Sequence, residues 1–240
     1  MVKQVLERRH SRQTNRQIVE RLPVALSTIA RLLRRAGLHR LAKREPEPPQ
    51  HRYEYAQHGQ LLHLDIKKLA RFRRPGHRVT GNRQINSDGA GWEYVHLAID
   101  DHSRVAFGCI KPDERGASAC RALMQAVRYY RSVGVRFERV LTDNGACYRS
   151  RRFHHLVRRL GMRHPRTRPY TPRTNGKAER LVQTSLREWA YVRSYANSQQ
   201  RASAFNHWLH EYNWYRPHAT LGYKPPISRI PLNNVLGLHT

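Results

Sequence analysis

Acidic residues are scarce in this 240-residue chain: 17 Asp and Glu stand against 45 Lys and Arg, a formal net charge of +28. Such an imbalance makes a polyanion the expected partner. Lysine is scarce as well, supplying seven of the 45 cations. The others are Arg, whose forked donors match phosphate oxygens better than an ammonium does. Composition alone does not separate an enzyme from a basic ribosomal-type or RNA-binding protein. Cysteine is limited to Cys109, Cys120 and Cys147, with no CxxC or CxxxC pair. That argues against a zinc site and against a disulfide framework. Cys109 and Cys120 sit among apolar residues and read as buried thiols, in keeping with a reducing compartment. Long apolar runs are missing too: nothing approaches the length of a membrane span, and MVKQVLERRH has no signal-peptide core. The expectation is an intracellular protein without a membrane partner.

What is present falls into a short helical head and a longer α/β body. Residues 14–37 read as two short helices. Thr14 and Gln17 form a capping-box pattern ahead of Ile18, Val19 and Leu22, and Pro23 breaks the period. Ser27 is placed to cap a second helix with Ile29, Leu32 and Leu33 inward and Thr28, Arg31, Arg34 and Arg35 outward, ended by Gly37. A helix-turn-helix with a basic recognition helix and an ordinary helical hairpin with a solvated basic face both fit these residues. Residues 42–57 form a linker, with Pro46, Pro48 and Pro49 favouring extended backbone.

The body begins with a strand, Leu61 to Ile66, that carries Asp65 between apolar neighbours. Residues 71–91 show no apolar period and read as a functional loop, a basic ribbon for DNA. Tyr94–Ile99 and Val105–Ile110 read as strands joined by the turn-forming DDHS. A helix over 116–133, a strand over Phe137–Leu141 leading to Asp143, a helix over 150–160 and a short strand near Met162 follow. Thr174 or Asn175 can cap the next helix, in which Val182, Leu186 and Trp189 form an apolar stripe with Glu179 at its edge. A last helix, 199–213, has Phe205, Trp208, Leu209 and Tyr212 on one face, a stripe read as core rather than as a base-stacking platform. The order fits an RNase H-like mixed α/β sheet flanked by helices.

Two strand-borne acids and one helix-borne acid, Asp65, Asp143 and Glu179, with thirty-five residues between the last two, form the pattern of the DDE polynucleotidyl transferases. The segments TDNG and PYTPRTNGKAER resemble the retroviral-integrase-like core of bacterial insertion-sequence transposases. HLDIKKL, GHRVTG, GWEYVHLAIDDHSR and YNWYRPHATLGYKPPISR resemble the insertion sequence 481 family in particular. The resemblance runs over residues 58–231. It implies residues 1–41 as a helix-turn-helix module, shorter than relatives usually carry, 58–195 as the catalytic core, and 196–240 as a C-terminal helix and tail. It also implies DNA integration and recombination in a bacterial, nucleoid-associated setting, on double-stranded DNA and as a homo-oligomer. Where related proteins commonly have Gln, this chain has Arg173.

The chemistry implied is in-line displacement at phosphorus, with water attacking first and the freed 3′-hydroxyl second. Two Mg2+ or Mn2+ ions about 3.5–4 Å apart suit that reaction, and carboxylates suit those ions. In this scheme Asp65 bridges the ions, Asp143 holds one and Glu179 the other, with no small-molecule cofactor. Asn175, Lys177 and Arg180 are expected to contact DNA with Arg31, Arg34 and Arg35; Arg216 and His218 serve structure or touch DNA. Asp100 and Asp101 compete with Asp65 for the role of first acid, but an Asp in a tight turn has a purely structural use. An Asp inside a strand has none and is costly to bury without a cation. Two other readings remain: an RNase H-like nuclease that cuts without joining, and a catalytically silent DNA-binding derivative of a transposase.

DNA affinity should fall steeply as salt rises, because phosphate contacts dominate it. Replacing Arg31, Arg34 and Arg35 by Ala should weaken binding to the element's end more than to random duplex, as gel-shift titrations would measure. Equal losses on both would reduce these residues to phosphate contacts.

Overall fold

The computed structural model describes residues 1–41, 53–76, 81–84, 88–89, 91–167 and 175–231. The chain divides into two compact units, Met1–Arg52 and Tyr53–Thr240. The proline-rich part of the expected linker, the GHRVTG segment in part, Arg173 and Thr174 lie outside the described residues.

In the first unit, α1 (Val2–His10), α2 (Asn15–Val19) and α3 (Leu26–Arg35) close around Val5, Ile18, Ile29 and Leu33, all fully buried. Thr14 and Gln17 make both halves of the capping box. Helix α1 has no counterpart in the sequence reading. It forms where Val5 reaches the shared core and where Arg8, Arg9 and His10 occupy the last turn, the favourable end for cations. The second expected helix also starts earlier than its Ser27 cap would allow. The Ala25 carbonyl already accepts from the amides of Thr28 and Ile29, at 3.0 and 3.1 Å, so Ala25 is the cap. Gly37, at φ +70°, ends the helix in the left-handed conformation. Arg31, Arg34 and Arg35 are exposed on α3.

The second unit is built on a four-stranded sheet of order β3-β2-β1-β4, where β1 is Leu62–Arg71, β2 Gly91–Asp100, β3 Ala106–Lys111 and β4 Val140–Leu141. The first three strands pair antiparallel in sequence order, and β4 pairs parallel with β1. Helices α4 (Gly116–Ser132), α5 (Ala146–Arg149), α6 (Arg151–Arg159), α7 (Gly176–Ser185) and α8 (Ser198–Trp214) surround it. Alternation along the strands sends Leu62, Leu64 and Ala98 into a core with Leu123, Ala126, Tyr130 and Phe153. Leu69, Val95, Leu97 and Ile99 enter a second core with Leu181, Val182, Trp189, Phe205 and Trp208. Both faces are therefore covered, which is why β2 reads as a nearly unbroken apolar run. The aromatic stripe of α8 is core, with Phe205 packed where Gly108 offers no side chain; a Cβ there would lie 2.5 Å from the Phe205 ring.

Several boundaries differ from the sequence reading. Strand β1 continues through Lys67, Lys68 and Arg71 into the expected basic loop, because β2 pairs with it residue for residue out to Gly91. The strand expected near Met162 is reduced to isolated parallel bridges, Arg139 with Arg163 and Thr142 with Arg166. Helix α7 does not stop at Ser185 but widens into one π turn, Leu186–Ala190, which buries Trp189 and points its indole N–H at the Arg201 carbonyl, 2.7 Å away. Cys109 and Cys120 are half-buried rather than buried, while Cys147 is buried.

One buried ion pair locks α8 to the sheet. The Arg201 guanidinium meets the Glu93 carboxylate at 2.6 Å and also donates to the Ala70 carbonyl. Glu93→Ala would strand a cation that is 3% exposed. It should lower the stability of the second unit by about 3–5 kcal/mol in urea denaturation.

Candidate active site

The parallel pairing of β1 with β4 sets Leu62 beside Val140 and His63 beside Leu141. Asp65 lies two residues further along β1 and Asp143 two residues beyond the paired end of β4, so the parallel register carries both acids in the same direction along the sheet. Short as it is, β4 is held on both sides. The Leu62 amide donates to the Arg139 carbonyl at 2.9 Å, and the amides of Val140 and Thr167 donate to the carbonyls of Arg163 and Thr142 at 2.9 and 3.0 Å. Beyond the strand, Gly145 donates to Asp143 Oδ1 at 2.9 Å and Asn144 donates to the Thr167 carbonyl at 2.8 Å. The Thr142 hydroxyl donates to the Asp143 carbonyl at 2.8 Å and accepts from His164 Nε2 at 3.0 Å. Burial, aided by Arg166 and His154, pushes the His164 imidazole down to about 4, so the neutral ring has one proton to give and gives it here.

Asp65 and Asp143 open on a cleft of about 240 Å3, lined also by Ile66, Glu114, Gly145, Ala146, Cys147 and Tyr148. Asp65 is half-buried and Asp143 exposed. Burial raises the Asp65 carboxyl to about 6; the Ile66 amide, 2.8 Å from its Oδ1, works against this, and the charges of Asp143 and Glu179 reinforce it. Lys67 offsets them only weakly. Here, then, is a carboxylate short of positive charge. The Glu114 side chain adds a third acid to the lining; it follows β3 in an ordinary turn sequence, and no pattern marks it in advance.

Glu179 lies in the first turn of α7, exposed, with its charge felt at Asp65, but it is not among the residues lining the cleft. Among the described residues no three His, Cys, Asp or Glu side chains converge closely enough to hold a metal ion together. The structure thus joins Asp65 and Asp143 in one cleft and leaves Glu179 nearby with its carboxylate turned to solvent. Arg180 is exposed beside it. Two neighbours expected to face DNA face inward instead. Asn175 is 4% exposed and donates to the Leu64 carbonyl at 3.0 Å; Lys177 is half-buried, paired with Asp101 and donating to the Tyr53 carbonyl at 3.0 Å. Both do so because the polar groups under α7 need partners that solvent cannot reach.

The competing acids are fully buried and satisfied. Asp100 accepts from Gly59 N–H at 2.9 Å and from the amide and hydroxyl of Ser103 at 2.7 and 2.6 Å. Asp101 accepts from Tyr55 N–H at 2.7 Å, His63 Nε2 at 2.7 Å and Lys177. Burial alone would raise Asp101, yet the bonds from His63, Lys177 and Tyr55 outweigh it and hold the carboxyl down at about 2. The turn role expected of this pair is therefore wider than a turn, reaching residues 38 to 76 positions away in sequence. Arg216 is structural, gripping Glu188 through both Nε and a terminal nitrogen at 2.7–3.0 Å. His218 packs edge-on against Tyr212, and its ring is pushed down to about 4 by burial and by Arg216.

Residues 56–172 and 160–226 each match a family model described as an integrase core domain. Over 90 residues the chain is 36% identical to the transposase InsD for insertion element IS2A/D/F/H/I/K of Escherichia coli, a stretch that is 36% of this chain and 29% of that protein. The transposase InsD for insertion element IS2-9 of Escherichia coli strain K12 is similar to the same degree, over 28% of its length. The chain thus matches less than a third of the length of these curated relatives. Among solved structures, a chain of the simian T-cell lymphotropic virus intasome in complex with PP2A regulatory subunit B56 gamma superposes with a TM-score of 0.57 at 17% identity. That alignment covers 94% of this chain and 73% of the other. It establishes a shared RNase H-like fold.

The raised Asp65 carboxyl has a measurable consequence. The folded state binds that proton more tightly than the unfolded chain, so the stability it contributes is complete below pH 3.8 and is lost as pH rises through about 6. At pH 7.5 without divalent cations, Asp65→Asn should stabilise the protein by up to about 3 kcal/mol. At pH 4 the variant and the parent should match. Denaturation at both pH values checks this; an advantage that does not depend on pH would sink the argument.

Proposed function

We propose that the integrase core over residues 56–226 works in this chain as an insertion-sequence transposase, cutting DNA and joining the freed 3′ end to a target. One observation carries the reading: Asp65 of β1 and Asp143, just beyond β4, line one cleft, with Glu179 within electrostatic reach. The naming of the Escherichia coli relatives as transposases supports it. The sequence motifs around Asp65, the DDHS turn and the C-terminal tail favour the insertion sequence 481 family.

The donor set suits a hard divalent cation. All the acids offer oxygen, and Asp65 lacks the positive charge that would satisfy it. Asp65 and Asp143 would hold magnesium or manganese, and Glu179 would complete the set by turning inward from its exposed position. When bound, two such ions activate the attacking oxygen and stabilise the leaving one. The chain's own contribution is placement. The Gly145 amide orients Asp143, the Ile66 amide orients Asp65, and α7 presents Glu179 from the side. Arg180 is available to a phosphate beside Glu179. Residues 1–41 act as a helix-turn-helix module that offers Arg31, Arg34 and Arg35 to the element's end. Residues 42–57 serve as the linker, 58–195 as the core and 196–240 as the C-terminal helix and tail. The partner is double-stranded DNA in the bacterial cytoplasm, at the nucleoid, and pairing two ends calls for a homo-oligomer.

Cleavage of a duplex carrying the element's end should require magnesium or manganese and vanish in EDTA. Asp65→Asn should abolish cutting and joining while DNA affinity holds or rises, because a negative charge near phosphate is gone. A pre-cut 3′ end separates joining from cutting: the wild-type protein should join it, and a protein that cuts but never joins would be a nuclease. Full cleavage by Asp65→Asn would overturn the assignment.

A further inference from the structure

Asn175 occupies the cap position of α7, yet its side chain makes no cap bond. It points back to β1 instead. Its Nδ2 donates to the Leu64 carbonyl at 3.0 Å, and because a carbonyl can only accept, this bond fixes which way the amide lies. Oδ1 is then the atom that meets His63 Nδ1, 3.1 Å away. His63 is fully buried, and its other nitrogen, Nε2, lies 2.7 Å from Asp101 Oδ1. The ring is thus held from both sides, by the Asn175 amide and by the Asp101 carboxylate. Lys177, two residues beyond Asn175, reaches the same Asp101 and the Tyr53 carbonyl. The first turn of α7 is therefore tied at two points to the strand and to the turn beyond β2.

We infer that Asn175 and His63 are positioning residues for the carboxylate cleft, fixing against β1 the first turn of α7, which carries Glu179. The spacing makes this specific. Residues four apart share a helix face and differ in height by about 6 Å. Asn175 anchors on the Leu64 carbonyl, so Glu179 stands one turn further along on the same face, and Asp65 is the residue that follows Leu64. The anchor fixes the helix backbone and leaves the Glu179 side chain free to turn between solvent and cleft. The inference rests on the reading of the three acids given above.

The test compares Asn175→Ala with the wild-type full-length chain, with Asp65→Asn as control. Single-turnover cleavage is measured together with Mn2+ binding, followed by electron paramagnetic resonance without DNA. Partners that orient metal-binding groups typically change affinity or rate by about 10- to 100-fold. Asn175→Ala should therefore weaken Mn2+ binding and lower kcat by about that factor, with KM for DNA within about twofold of wild type, since the residue is buried. A folded Asn175→Ala protein with wild-type Mn2+ affinity and kcat overturns the inference; if Asp65→Asn is then inactive, the transposase reading stands without it. An active Asp65→Asn protein overturns both. Should Asn175→Ala fail to fold, His63→Gln is read in its place with the same expectations. Nuclear magnetic resonance of the unaltered protein provides a further readout: the Asn175 side-chain amide protons should exchange slowly with water, since Nδ2 donates to the buried Leu64 carbonyl, and fast exchange there overturns the anchor.

Discussion

The second unit depends on one short piece of pairing, the parallel register of β1 with β4. Only Leu62–Val140 and His63–Leu141 are paired as strand residues, yet that register sets where the chain leaves β4 relative to Asp65 in β1. A slip of one residue would send every side chain of β4 to the opposite face. It would also separate Asp143 from Asp65. The register is protected from both sides. Leu62 and Val140 are fully buried in one core, and residues 138–142 are bonded to Gly59 and Leu62 on one flank and to 163–167 on the other. The strand is short, and its neighbours supply the hydrogen bonds that its length does not.

Two aspartates of similar surroundings show what decides the charge of this region. Asp65 and Asp101 both lie where burial opposes ionisation. At Asp101 three donors, His63, Lys177 and the Tyr55 amide, reverse that effect. At Asp65 one amide and a distant Lys67 face the combined repulsion of Asp143 and Glu179, and the carboxyl moves the other way. The difference is the supply of donors, not depth. Among the described residues Glu54, Asp88, Glu93, Asp101, Glu138 and Glu188 are each paired with Arg or Lys, while Asp65, Asp143 and Glu179 are in no ion pair.

The rigid parts of the unit bear directly on that cleft. Two apolar cores clamp the sheet from opposite faces, and the Arg201–Glu93 pair and the Trp189–Phe205 contact, with ring centroids 4.3 Å apart, fix α8 and the end of α7 to it. Helix α7 is thereby held at both ends: through Trp189 in the core and through Asn175 and Lys177 under its first turn. Between these anchors Glu179 is the acid exposed in its first turn.

The sequence by itself determined the α/β class and the places of most elements, and it singled out three acids as candidates, because each leaves a local mark. A period of two or near four, a cap three residues before its partner, and an acid between apolar neighbours are all visible along the chain. It could not show helix α1, whose few apolar residues make sense only against Ile18, Ile29 and Leu33. Nor could it show that β1 runs on through its lysines, since β2 is what pairs with them. The strand anticipated near Met162 has the residues for pairing but not the partner geometry, and it survives only as bridges. Asn175 and Lys177 look from sequence like donors for a phosphate. Only the tertiary structure, by placing the Leu64 carbonyl, His63 and Asp101 beneath them, turned those donors inward, because hydrogen bonding between residues more than seventy positions apart leaves no trace in local pattern.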